Sequence, residues 1–388
     1  MQSTDEPGEE LLSARETARR LGIKLDTLYA YVSRGQLHSV AVPGSRERRY
    51  RSSDIERFRA SRGGDRLREA LMPVIDSSIC LIENGKFYYR GQDAVRLAGT
   101  ASLEEVAALL WEAPPRADRA PTAPSPAPMP SRPPGLIERV QVRLALLAAA
   151  DLAALDLTQA GVLRTGWAIL DELAAAIADA PGATGPVHRQ LAAAWRLDAA
   201  ASDLVRRCLV LLADHELNAS TFVARCVAST GATPYAVVSA ALGALSGRRH
   251  GGAAARAEAL LHEIGHQDDP MAVLAARLAR DEDLPGLGHP LYPDGDPRAV
   301  AIVEAIVKAR PAAGARIAAA ALAAMRLTGQ YPNVDFALAG AVTALGLPAG
   351  AALALFVLAR AVGWIAHALE QYDSRVLIRP RARYTGPR

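Results

Sequence analysis

The stretch LPGLGHPLYPDGDPRAV, Leu284 to Val300, holds one histidine, His289, and one arginine, Arg298, between glycines and four prolines. It is too polar and turn-rich for a core helix, so a proton carrier and a cation sit on stiffened backbone. Three further polar knots interrupt apolar sequence: ADHELNAST with His215, GRRHGG with His250, and YPNVDF with Asp335. Any one of these histidines, taken alone, reads more readily as a core ring satisfied by a backbone carbonyl. Four such knots in one chain are harder to explain that way, because a buried polar group without a partner is costly. Two imidazoles and a carboxylate, brought together, remove a proton from carbon. The carboxylate takes the proton, one ring hydrogen-bonds to the developing enolate oxygen, and the other protonates the group under attack. Arginines such as Arg298 hold a substrate's carboxylates by paired hydrogen bonds. That chemistry suits carbon–carbon bond formation between an acyl thioester and a keto acid.

The elements that must position these groups are helices. The chain has 388 residues, enough for two or three domains, and half of it is apolar although aromatics supply only 5%. Alanine-rich apolar sequence favours close-packed helices over sheets. From Leu136 to Gln371 helix follows helix, punctuated by Gly and Pro, and a small β-hairpin is expected before them, with Asn84-Gly85 at its turn. SLEEVAALLWEA, from Ser102, reads as a capped helix, and Asp65 to Leu71 as another. PPRADRAPTAPSPAPMPSRPP carries nine prolines in twenty-one residues and reads as an extended loop over 113–135. Phe336 to Ala359 has 24 residues without a charge, but LGLPAG breaks it, so two buried helices are expected rather than a membrane span. Three scattered cysteines, Cys80, Cys208 and Cys226, give no disulfide framework or metal-ligand spacing. A reducing cytoplasm is the expected home.

The net charge of +3 conceals a division. Ala14 to Arg62 carries twelve Lys/Arg against five Asp/Glu, a net of +7, while the acidic tip 1–10 carries −4. The basic segment reads as a domain over 11–64. Ser13 and Glu16 have capping-box spacing, Gly22 ends the first helix and Gly35 the second. Two short strands around a Pro-Gly turn follow, then a third helix from SSDIERF, with capping-box spacing again at Ser53 and Glu56. This order resembles winged-helix domains of the MerR and excisionase type. The resemblance puts Lys24, Thr27, Tyr31 and Arg34 in a major groove and Arg46, Arg48, Arg49 and Arg51 on phosphates, so DNA is a candidate partner.

The body carries a second resemblance. HELNAS, G-x-x-HGGA, PGxGHxxYxxxDPRA, PNVDF, ARxxGWIAHxxEQ and IRPRxRYxG occur in that order between Ser77 and Gly386, and the set is similar to the citrate synthase family. The resemblance implies an all-α fold, with a large domain over 65–250 and 334–388 and a small one over 251–333. It also implies condensation of acetyl-CoA or propionyl-CoA with oxaloacetate. Asp335 matches the general base, His250 the enol-stabilising residue, and His289 the residue protonating the oxaloacetate carbonyl. His215, Arg298 and Arg360 match oxaloacetate contacts. Arg379 matches an arginine reaching the partner subunit's site, which implies a homodimer. Backbone at Leu284, Pro285, Gly286, Leu287 and Gly288 matches the adenine-binding loop. Coenzyme A is then a substrate, with no tightly bound cofactor and no metal.

The chain departs from that pattern at several positions, and at three of them relatives carry cations. Pro290 and Pro293 follow the loop histidine, Gln330 stands where a lysine is common, Arg248-Arg249 precede HGG, and Ala254-Ala255 replace Asn-Glu. Two functions stay open at this stage. One is an active synthase; the other is a DNA-binding regulator whose helical body senses a di- or tricarboxylate. HEIGH, His262 to His266, fits a zinc-binding pattern with Glu282 as a conceivable third ligand, but Gly265 and the following QDDP end that helix, and it is set aside.

Overall fold

The computed structural model describes residues 11–33, 37, 39–41, 48–61, 75–115, 135–181, 184–265, 269–382, 384 and 386. The acidic tip, Arg34, Arg46, the helix expected over 65–71, most of the proline-rich tract and His266 lie outside them. The chain divides into two compact units, Met1–Asp76 and Ser77–Arg388.

In the first unit, helix α1 (Ala14–Leu21) starts at the expected capping box: Glu16 N–H donates to Ser13 Oγ at 3.2 Å, and Ser13 N–H to Glu16 Oε2 at 2.9 Å. Helix α2 (Leu25–Ser33) follows after a short turn, and α3 (Ser52–Ser61) closes the unit. The wing is a sheet of three strands rather than two. β1 (Leu11–Ser13) pairs antiparallel with β3 (Arg48–Arg51), which also pairs with β2 (Val40–Ala41). The pairing sets Leu12 opposite Tyr50, and both are buried with Leu21, Leu28, Ile55 and Phe58. A flank read as a helix cap alone is therefore also a strand.

The second unit opens with β4 (Cys80–Glu83) and β5 (Lys86–Tyr89). They are joined at Asn84-Gly85 with φ of 52° and 71°, the left-handed pair that a two-residue hairpin demands. A third strand, β6 (Gln92–Asp93), adds to β5. Helices α4 (Ala94–Thr100), α5 (Leu103–Leu110, capped by Ser102), α6 (Leu136–Ala150), α7 (Gln159–Ala178), α8 (Val187–Ala194) and α9 (Ala199–Leu212) come next. They continue with α10 (Ala219–Ala228), α11 (Pro234–Leu245), α12 (Gly252–Ile264), α13 (Pro270–Ala279), α14 (Pro297–Ala309), α15 (Pro311–Thr328), α16 (Val334–Leu345) and α17 (Ala351–Ser374). The fold is mainly α. The uncharged stretch is two helices, α16 and α17, broken at Gly346 to Gly350. Of the most apolar window in α17, 89% is buried against other helices.

Helix α17 is the axle of the unit. It packs on α7, α9, α10 and α11, and the Trp111 indole N–H donates to Val362 O at 2.8 Å, pinning the end of α5 to it. At Gly363 a Cβ would meet Asp214 Oδ1 at 2.3 Å and Ala213 O at 2.5 Å. Glycine there lets α17 touch the backbone that carries His215, and Gly363 N–H donates to Ala213 O at 3.0 Å.

Candidate active site

The loop between α13 and α14 is zipped onto the segment that leads into α16. Gly288 N–H donates to Tyr331 O at 2.7 Å, Asn333 N–H to Gly286 O at 2.9 Å, and Asn333 Nδ2 to Gly288 O at 2.9 Å. Gly286 has φ of 86°, and a Cβ there would meet the Phe336 backbone N at 3.0 Å, so the close approach needs glycine. Asn333 also caps α16, accepting from Asp335 N–H at 3.0 Å. The same contacts therefore position His289 on one side and Asp335 on the other.

Asp296, which sequence reading had not singled out, ties the two together. Its Oδ1 accepts from Arg298 N–H at 3.0 Å and Nε at 2.9 Å; its Oδ2 accepts from Arg298 Nη2 at 2.8 Å and Val334 N–H at 3.0 Å. Burial favours the neutral carboxyl, but Arg298 overcomes it and holds Asp296 below its ordinary range. The signal was present: an Asp before Pro-Arg is a natural helix cap whose second oxygen remains free. The Nε–Nη2 edge of Arg298 is already occupied by Asp296, so it does not offer that fork to a substrate.

Arg360 does. Its residue is 1% exposed and its Nε donates to Leu212 O at 2.8 Å. Its Nη1 and Nη2 are buried with no partner. Desolvation accordingly lowers its pKa. Two unpaired donors on a buried guanidinium form a preset fork for a carboxylate.

The histidines are neutral bases by environment. Burial and the Arg298 charge bring His289 down to about 4, and burial and Arg360 bring His250 to about 4. Burial, with Arg298 and Arg360, takes His215 well below its usual value. Leu291 N–H donates to His289 Nδ1 at 3.2 Å, which leaves the ring proton on Nε2. His250 Nε2 lies 2.9 Å from Ser220 Oγ, leaving Nδ1 for a ligand. His215 Nε2 lies 2.9 Å from the Tyr292 hydroxyl, and its ring meets that of His289 edge-on at 5.2 Å between centroids. Ser220 and Tyr292 were also unremarked in the sequence; each lies inside a quoted motif, but nothing local names its partner.

Asp335 completes the set. Its Oδ1 is enclosed without a partner, and burial pushes its carboxyl up to about 7 against the pull of Arg298 and Arg360. Since these two arginines also act on the three histidines, His215, His250, His289, Arg298, Arg360 and Asp335 share one electrostatic site. The site can hold carboxylates and abstract a proton at neutral pH. Arg379 is not brought to it; it is exposed on the extended tail after α17. Leu284 to Leu287 line a cavity of about 420 Å³ that also reaches Asn333, Gln330 and Arg256. In the zinc-like segment His262 is exposed and Glu282 is held by Arg280 at 2.7 Å.

The class of protein that this fold and site define is clear from comparison. Residues 137–381 match the family described as citrate synthase, C-terminal domain, and residues 11–63 match a helix-turn-helix domain. The chain belongs to the citrate synthase family. It is 40% identical over 189 residues to citrate synthase 2 of Bacillus subtilis, covering 47% of this chain and 50% of that one. It is 38% identical over 188 residues to a 2-methylcitrate synthase of Mycobacterium tuberculosis, covering 46% and 47% respectively. The chain thus spans about half the length of the curated relatives it matches. Among solved structures, citrate synthase from Pyrobaculum aerophilum superposes with a TM-score of 0.66 at 26% identity, covering 81% of this chain and 91% of that one. A Thermoplasma acidophilum citrate synthase, in ternary complex with carboxymethyl coenzyme A and oxaloacetate, shares the fold with a TM-score of 0.66 at 24% identity, covering 82% of this chain and 96% of that one.

Proposed function

We propose that this chain condenses an acyl-CoA, acetyl-CoA or propionyl-CoA, with oxaloacetate to give citrate or 2-methylcitrate. The observation that carries this reading is Asp335, an enclosed carboxyl whose Oδ1 has no partner and whose pKa is raised to about 7. That matches what a base for a carbon acid needs at neutral pH. Oxaloacetate binds with one carboxylate on the free fork of Arg360 and with further contacts from Arg298 and His215. Asp335 removes a proton from the carbon next to the thioester carbonyl, and His250 Nδ1 stabilises the enolate oxygen. The enolate carbon attacks the keto carbon of oxaloacetate, while His289 Nε2–H donates its proton to the keto oxygen. Water then cleaves the thioester, releasing coenzyme A thiol and the tricarboxylate. The backbone of Leu284 to Gly288 takes the adenine. In this reading the small domain 251–333 works with a large domain made of 65–250 and 334–388, and a second copy supplies Arg379 to each site.

Thiol release from acetyl-CoA and propionyl-CoA, with and without oxaloacetate, tests the proposal. Oxaloacetate-dependent release that vanishes in Asp335→Ala supports it. No release from either donor, by folded protein that still binds oxaloacetate, sinks it.

One observation favours a second reading. The first unit has a helix-turn-helix fold with exposed Lys24, Arg48 and Arg51. Under that reading the protein is a DNA-binding regulator whose body senses a carboxylate. Retained DNA binding that responds to oxaloacetate or citrate, in a chain without turnover, is its signature.

A further inference from the structure

Asp214, the residue before His215, is fully buried. It presses on α17 where Arg360, Gly363 and His367 stand at i, i+3 and i+7, on one face of the helix. A Cβ at Gly363 would meet Asp214 Oδ1 at 2.3 Å, so the carboxyl rests on the helix backbone between the other two positions. His367 Nε2 faces that oxygen at 3.3 Å, and neither atom has a hydrogen bond elsewhere. Arg225 Nη1 lies 3.1 Å from His367 Nδ1. An arginine can only donate, so Nδ1 accepts and the ring proton sits on Nε2, toward Asp214. Arg225 is fixed in turn, donating to Glu370 Oε2 at 2.8 Å and Gln371 Oε1 at 3.1 Å. The other oxygen of Asp214, Oδ2, accepts from Glu216 N–H at 3.1 Å, in a turn where Glu216 has φ of 50°. A non-glycine residue in that conformation is strained and needs such a hold, and the turn carries His215.

Burial works against the charge of Arg360, and the strongest influence opposing burial is the Asp214 carboxylate. Yet Asp214 does not bond the guanidinium, whose Nη1 and Nη2 have no partner. Asp296 shows the alternative within the same site, since it takes the Nε–Nη2 edge of Arg298. We infer, on the reading that Arg360 receives oxaloacetate, that Asp214 and His367 are positioning residues: His367 holds the Asp214 carboxylate off the Arg360 fork. The guanidinium is then compensated while its two donors stay open to the substrate. Without His367, Oδ1 has no hydrogen bond to retain it and turns to the free donors on the same helix face. A substrate carboxylate must then displace an internal one, and apparent affinity falls with the fraction of molecules whose fork is open.

The test is calorimetric binding of oxaloacetate to the full chain, with thiol release from acetyl-CoA measured alongside. His367→Leu should raise Kd and KM for oxaloacetate by roughly tenfold or more, while kcat changes less. His367→Gln, whose amide can donate to Asp214 and accept from Arg225, should recover most of that loss. The two residues are in contact, so a double variant measures their coupling directly. Asp214→Asn added to His367→Leu removes the competing charge but keeps an oxygen for Glu216 N–H, and oxaloacetate affinity should return toward the parent value. A purely structural role predicts no recovery of binding from a second buried substitution. The inference is overturned if folded His367→Leu binds oxaloacetate like the parent, or if the double variant binds no better than His367→Leu. His367→Met supplies the same comparison should the leucine variant not fold. Failure of both to fold also overturns the inference, which requires the carboxylate to find its new partner inside a native fold. A parent that binds oxaloacetate without turnover sinks the synthase reading and leaves the pair to be judged on binding. A parent that binds none removes both.

Discussion

The two units of this molecule use positive charge in opposite ways. In the helix-turn-helix unit Lys24, Arg48 and Arg51 are exposed, just before α2 and on β3. In the helical unit Arg298 and Arg360 are 2% and 1% exposed. Exposed charges act through counterions and are weakened by salt; buried ones act through geometry and desolvation and are nearly immune to it. Within the buried pair the contrast repeats. Arg298 has its counter-charge in Asp296, whereas Arg360 keeps two donors without any partner. One guanidinium is committed along its Nε–Nη2 edge and the other leaves Nη1 and Nη2 open.

Breaking that contrast should have its largest effect at the base. Asp335→Asn preserves shape and removes the proton acceptor, and oxaloacetate-dependent thiol release should fall by ~10³-fold. Next comes Arg360→Met. Loss of a carboxylate fork should lower kcat/KM for oxaloacetate by roughly 10²-fold. Folding stability should change little, because the apolar chain removes a buried charge with two unpaired donors but also the Nε bond to Leu212 O and the contact with Phe356. Asp296→Asn should do the reverse. It strands the buried Arg298 charge, and chemical denaturation should register a loss of about 3–5 kcal/mol. If Arg360→Met destabilises the fold as much as Asp296→Asn does, the division between the two arginines is wrong.

The pH profile sharpens the same site. With Asp335 at about 7 and His250 and His289 at about 4, only the carboxylate titrates between those values. The profile of kcat/KM should therefore show one acid limb, falling about tenfold per pH unit below 7, with no second inflection from the histidines. Stability carries the opposite sign at the two kinds of group. The Asp335 pKa is raised from 3.8, so its contribution is present at low pH and is lost as pH rises through 7. The histidine pKa values are depressed from 6.5, so theirs is present at neutral pH and is lost as pH falls through about 4. Melting curves of Asp335→Asn against the parent chain check the first: the variant should gain on the parent as pH rises, and the difference should level off above 7.

What could be read from the sequence was local. The capping boxes at Ser13 and Ser102, the Asn84-Gly85 turn and the break between α16 and α17 each depend on residues within a few positions, and each is present as expected. The proton-handling residues were legible because polar knots stand out in alanine-rich helices. Pairings across the chain were not. β1 finds β3 some forty residues away, which no local pattern specifies. The state of an arginine is likewise invisible in sequence. Asp296 claims Arg298 from two residues away, while Arg360 donates its Nε to Leu212 O, 148 residues away, and keeps Nη1 and Nη2 without hydrogen-bond partners.

The smallest effect belongs to the exposed cations, and it decides what the first unit does. If that unit meets duplex DNA, Arg48 and Arg51 on β3 and Lys24 before α2 lie against phosphates. Each Arg→Ala change should then reduce the slope of log affinity against log salt by about one and weaken all sequences alike. Thr27 is half-buried on α2 and Tyr29 is 53% exposed there. A change at either should alter preference among sequences more than the salt slope, since groove contacts rather than phosphates carry sequence information. Gel-shift or anisotropy titrations at several salt concentrations separate the two. A flat salt response in the full chain would mean that the +7 of this segment serves a face other than a nucleic acid one. Exposed charge would then mark solvation here, and the contrast with Arg360 would hold only for the helical unit.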